Sequence, residues 1–194
     1  MAQAAAIGVR VKTARATAIV VVGSPDAPHV ISRHALQLWD PDVPDSKQPY
    51  HAGLPLEGEE ARVVVEHACE AARVVAVRAV RELIAGLRAE GITAAGVALV
   101  VGSDADPAKL GNPHVRAHAS EGRLFRELLE DGAKACELSS RVFVERDLYV
   151  EAEKALGRPA EELRRAVTAL GASVGRPWRA EEKTAALAGW LTLD

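Results

Sequence analysis

The stretch that decides the fold lies near the start of the chain: Ala6-Ile-Gly-Val-Arg-Val-Lys-Thr13, then, after a short link, Ala16-Thr-Ala-Ile-Val-Val-Val22. In the first segment Ile7, Val9 and Val11 alternate with Gly8, Arg10 and Lys12, the period-two pattern of a half-buried strand. The second segment is almost continuously apolar, as expected of a strand covered on both faces. Two β-rich segments this close predict a hairpin, although the link lacks the Asn-Gly or Asp-Gly pair that most often closes one. After the turn at Gly23-Ser-Pro-Asp26, residues 29–39 supply a third strand.

Working outward, residues 40–58 carry four prolines and two glycines and predict an extended loop without regular structure. A connection this long in a compact domain is often functional. Residues 59–90 predict one long helix, because Val64, Ala68, Ala71, Val75, Leu83 and Leu87 recur on one face and Gly91 stops it. Residues 92–101 are apolar enough for a central fourth strand. Residues 113–138 predict a second helix with Pro113 in its first turn, and Arg141-Val-Phe-Val-Glu145 a short fifth strand. Helical stretches near 147–156, 159–171 and 179–192 close the chain. The expected fold class is α/β, with a central mixed sheet of about five strands flanked by helices. One domain over 1–194 is expected, with a C-terminal helical portion at about 147–194.

Composition narrows the function classes. Hydrophobic residues make up 48% and charged residues 26%, an ordinary globular balance that argues against disorder. A formal net charge of −3 shows no global basic field of the kind that advertises nucleic-acid binding, though a local patch is compatible with it. Cys69 and Cys136 sit among apolar neighbours in helical patterns and read as buried free thiols, which suits a reducing, cytoplasmic location. Neither a signal peptide nor an apolar run long enough to span a membrane is found.

The order β-β-β-α-β-α-β-α resembles the ribonuclease H-like superfamily, which includes RuvC-type Holliday-junction resolvases and their YqgF-type relatives. Two passages carry the likeness. The segment from Ile7 to Val21 looks like the first hairpin of that group, where an Ile-Gly-x-Asp pattern opens the site. Leu163-Arg-Arg-Ala-Val-Thr-Ala-Leu-Gly171 and Arg179-Ala-Glu-Glu-Lys183 resemble the end of RuvC-type chains. The resemblance implies a site in which carboxylates hold two divalent cations for phosphodiester hydrolysis, Mg²⁺ or Mn²⁺ bound through oxygen. The chain departs from that pattern. Arg10 stands where the family places its first Asp, and a guanidinium repels a cation instead of ligating it. Val101, Gly102 and Ser103 stand where the acid after the fourth strand is expected.

Several constellations remain as candidates. Arg10 and Lys12 share a strand face and read either as an anion or phosphate contact or as a solvated charged face. The loop residues Asp40, Tyr50 and His51, with Trp39, Asp42 and Asp45 beside them, read either as a ligand or metal site or as a proline-stiffened surface loop. Asp104, Asp106 and His118 are candidate metal ligands. His114 and His118 lie one helical turn apart on one face, a spacing that suits zinc or another transition metal; ordinary exposure and helix capping are the simpler explanation of two histidines at this spacing. Asp104, Asp106, Glu181 and Glu182 are the catalytic candidates of a nuclease with a relocated acidic site, and Glu181 and Glu182 also fit as first-turn acids that complement a helix dipole.

Three functions follow as expectations. The first is a non-catalytic ribonuclease H-like module that binds nucleic acid or a protein and needs no cofactor. The second is a Mg²⁺- or Mn²⁺-dependent nuclease or phosphodiesterase. The third is a structural subunit whose Ala/Val-rich long helix packs on a partner protein or on a second copy.

Overall fold

The computed structural model describes residues 3–193. Strands β1 (Gln3–Lys12), β2 (Arg15–Ser24) and β3 (Ala27–Gln37) form an antiparallel meander. Strands β4 (Ile92–Val101) and β5 (Ser140–Val144) add to the free edge of β1 in parallel, giving one sheet of order β3-β2-β1-β4-β5. The β1–β2 hairpin closes through Thr13 and Ala14, and Ala14 adopts a left-handed conformation with φ of 64°. Asn or Gly usually fills such a position, so a hairpin made with alanine leaves only a weak mark in the sequence.

Helices cover both faces of the sheet. On one face lie α2 (Gly58–Ala89) and α3 (Pro113–Ala135), whose Ala72, Ala76, Val80, Ile84, Phe125, Leu128 and Leu129 pack on Ile7, Val9, Val11 and Leu99. On the other lie α4 (Leu148–Leu156), α5 (Ala160–Leu170) and α6 (Ala180–Trp190), which enclose Ile19, Val21, Ala98, Val100 and Phe143. The apolar stripe of α2 is therefore covered within the chain by α3 and the sheet. Helix α6 is buried along Ala185–Trp190 and lies unusually close to the sheet. Its approach depends on two glycines: a Cβ on Gly8 would sit 1.8 Å from the Ala185 carbonyl oxygen, and one on Gly189 would sit 3.0 Å from the Gly8 nitrogen.

Two sequence expectations need correction. The proline-rich stretch after β3 is not structureless: it holds a 3-10 turn over Pro44–Lys47 and helix α1 (Pro49–Gly53), each with proline at its start. Proline lacks only an N–H that the first turn would leave unpaired, and its fixed φ suits a helix start. The prolines here start the helical turns instead of excluding them. Cys69 and Cys136 are half-buried, not buried, although both are free and pack against the core. Among the described residues no helix is long and apolar enough to cross a membrane.

Candidate functional site

The C-terminal ends of β1, β4 and β5 lie side by side, with Arg10 opposite Val100 and Val100 opposite Phe143. Arg10 points from β1 to the face covered by α6 and is only 2% exposed, so it does not belong to a solvated charged face. Its Nη1 donates to the carbonyls of Val11, at 2.8 Å, and Val100, at 3.1 Å. Its Nη2 pairs with Glu145, just beyond β5. A buried guanidinium is tolerated when carbonyls and a carboxylate satisfy its donors; here only Nε lacks a partner. Beside it opens a cleft of about 240 Å³ lined by Arg10, Lys12, Thr13, Ser103 and His118.

The acidic candidates are engaged elsewhere. Asp104 pairs with Arg126 at 2.5 Å and Asp106 with Arg123 at 3.5 Å. Asp106 also accepts the Ala108 N–H at the start of a short 3-10 turn. Glu181 accepts a two-pronged bond from Arg15, at 2.6 and 2.9 Å, and that guanidinium holds its carboxyl below the usual carboxylate range. Glu182 is buried and reaches back to the Arg179 N–H at 2.8 Å, so it caps α6. Asp40 accepts the Asp42 N–H at 3.0 Å and closes its own loop. Tyr50 packs half-buried against the core beside Cys69, and burial pushes both its hydroxyl and the Cys69 thiol up.

His51 has a different setting. Helix α1 docks on α3 so that Glu121, fully buried, accepts from His51 Nδ1 at 2.7 Å and from the His51 backbone N–H at 3.3 Å. The His51, His114 and His118 rings stack edge-on with centroids 4.3–4.8 Å apart. One ligand nitrogen from each lies within 4.8 Å of the other two. His118 thus stands with His51 and His114, away from the acids Asp104 and Asp106, which their arginines hold. Among the described residues, this is the one group of three or more His, Cys, Asp or Glu side chains that converges in this way.

No protein-family model and no curated protein matches the chain. Solved structures do. Thermus thermophilus RuvC aligns over 97% of this chain and 91% of its own, with a TM-score of 0.56 and 10% identity. T. thermophilus RuvC in complex with a Holliday junction substrate aligns over 98% and 92%, with a TM-score of 0.55 and 9% identity. This chain has the ribonuclease H-like fold of RuvC. Identity this low carries the architecture alone, so the chemistry must be judged on the residues present.

Those residues do not fit the paired-cation site that the ribonuclease H-like resemblance implies. Its first carboxylate position holds a buried guanidinium, and Glu145, which pairs with this guanidinium, is spent on neutralising it. Asp104, Asp106, Glu181 and Glu182 do not converge on one point. The sequence reading missed Glu145 and Glu121. Glu121 left a trace, because it interrupts the apolar stripe Ala117, Leu124, Phe125 and Leu128 of α3, where a solvated acid has no place.

Proposed function

We propose that this chain is a nucleic-acid-binding module built on a ribonuclease H-like frame, with the cation position of that frame given over to an arginine. The observation that carries this reading is the buried Arg10 guanidinium at the C-terminal end of β1, neutralised by Glu145. A polyanion that approaches an acidic site must bring cations with it. One that approaches this end of the sheet meets Lys12 and the hydroxyls of Thr13 and Ser103 in the cleft, groups that contact phosphate without ligating metal. The Holliday junction bound to T. thermophilus RuvC supports branched DNA as the first ligand to test. With a net charge of −3, binding rests on this local patch and not on a global field.

The test is a gel shift with a four-way junction and a matched duplex across a salt series, together with a cleavage assay in Mg²⁺ and Mn²⁺. The expected result is salt-sensitive binding without cleavage. Lys12→Glu should weaken it and flatten the dependence of log K on log salt by about one phosphate contact. Cleavage that disappears in Asp104→Asn would establish a divalent-metal nuclease instead. No binding at low salt would overturn the reading in favour of a structural role.

A further inference from the structure

We propose that His51, His114 and His118 form a mononuclear transition-metal site, with Glu121 as the carboxylate that orients it. Neither the fold nor the Arg10 cleft calls for such a site, and the proposal stands whether or not the chain binds DNA.

The geometry begins with Glu121. Its Oε1 accepts a hydrogen bond from His51 Nδ1–H at 2.7 Å, which fixes the tautomer and leaves Nε2 as the free lone pair of that ring. That Nε2 is buried and lacks a hydrogen-bond partner. A buried nitrogen lone pair without a donor is costly. It is explained if the ring faces a cation, because histidine ligands almost always give their other N–H to a carboxylate or carbonyl.

The other two rings supply the complementary half. His114 and His118 lie one turn apart on α3, with their Nε2 atoms 3.2 Å apart. Two ligands about 2.0–2.1 Å from a tetrahedral centre stand roughly 3.3 Å from each other. An ordinary imidazole–imidazole hydrogen bond explains this pair by itself. It explains neither the third nitrogen within 4.8 Å nor why a short helix pins His51 against a fully buried acid.

Charge points the same way. Glu121 is 0% exposed, and among the described residues its Oε2 has no partner and its only ion-pair partner is His51. A buried carboxylate is costly unless it is neutralised by a proton or placed beside positive charge. A proton on His51 would supply one charge but would direct Nε2–H at two neighbouring imidazoles. A dication bound to three neutral rings supplies the charge and uses all three lone pairs.

Three imidazoles select Zn²⁺ or a neighbouring late divalent metal such as Co²⁺, Ni²⁺ or Cu²⁺, and disfavour Mg²⁺, which takes oxygen ligands. Three protein ligands leave the fourth tetrahedral position for water or an anionic oxygen, as in catalytic and not structural zinc sites. His114 and His118 are exposed, and His118 also lines the cleft that holds Lys12 and Ser103. His118 thus belongs to both the histidine cluster and the cleft.

The experiment uses the full chain, stripped of metal and titrated with Co²⁺ and then Zn²⁺. The expected result is one equivalent of Co²⁺ with the strong visible absorption of a tetrahedral site, displaced by Zn²⁺, and a rise in Tm with Zn²⁺ but not with Mg²⁺. His114→Ala and His118→Ala remove exposed side chains and should fold normally while losing the absorption and the Zn²⁺ shift. Glu121→Gln should weaken affinity about 10- to 100-fold. Should that variant unfold, Glu121→Asp, read by the same absorption, tests the orienting role. Octahedral or absent Co²⁺ absorption, or Zn²⁺ binding that survives His118→Ala, overturns the proposal.

Discussion

Arg10 and Glu145 form an ion pair whose two members differ sharply in exposure, 2% against 42%. That difference makes the two halves of the pair unequal under mutation. In Glu145→Gln the buried guanidinium loses its counter-charge; a fully buried pair would lose about 3–5 kcal/mol, and the exposure of Glu145 brings the cost to the lower end of that range. In Arg10→Met the carboxylate left behind is already partly in water, and the main loss is a donor to the Val11 and Val100 carbonyls, about 1–3 kcal/mol. Chemical denaturation should therefore show Glu145→Gln as the more damaging change. The opposite order would mean that Arg10 acts through packing and not through charge.

The close approach of α6 to β1 gives a second test. A methyl group at Gly8 would meet the Ala185 carbonyl oxygen at 1.8 Å and the Gly189 nitrogen at 2.6 Å, both backbone atoms that cannot rotate away. Gly8→Ala should cost about 3 kcal/mol or more, at or beyond the upper end of overpacking penalties. Gly86 is the control. It lies inside α2 with nothing within 4 Å of its would-be Cβ, so Gly86→Ala should stabilise by about 0.5–1 kcal/mol. Thermal melts of the two variants should move in opposite directions.

The difference between these two glycines shows where sequence stops being legible. Strand alternation located β1, and 3.6-residue periodicity located α2, because each pattern is a local consequence of burial on one face. The same alternation placed Arg10 on the polar side of its strand. That side is buried because α6 returns to cover it, a long-range event that leaves no local mark on β1. The His51 site was hidden for a related reason. The spacing of His114 and His118 is visible on one helix, but the docking of α1 that brings His51 to them is not, and proline-rich sequence conceals α1 itself.

The Cys69 thiol offers a kinetic prediction. Burial is the largest influence on it and raises its pKa, against a smaller lowering by the neighbouring Tyr50 hydroxyl. Only the thiolate attacks an alkylating reagent, so a raised thiol pKa shrinks the reactive fraction at neutral pH. Iodoacetamide at neutral pH should label Cys69 more slowly in the native protein than in denaturant. Tyr50→Phe removes the neighbouring hydroxyl that favours the thiolate and should slow labelling further. Faster labelling would show instead that the substitution frees α1 from α2 and opens access to the thiol.

The last prediction concerns acid stability and Glu181. The Arg15 hydrogen bond is the largest influence on this carboxyl and lowers its pKa, with smaller charge effects from Arg15, Lys12 and Arg10 in the same direction. A carboxylate whose folded-state pKa lies below its unfolded value binds fewer protons when folded. Its contribution is therefore complete above the ordinary value of 4.5 and is lost as pH falls through the lower folded-state value. Because the Arg15 side chain is 57% exposed, solvent screens the pair and its worth is no more than about 1 kcal/mol. Glu181→Gln should thus lower stability slightly at pH 7, and the wild-type and variant curves should converge as pH falls below 4.5. Added salt should also reduce the gap at pH 7, since an exposed pair is screened. A gap that persists at pH 2 would assign the effect to the packing of α6 rather than to the ion pair.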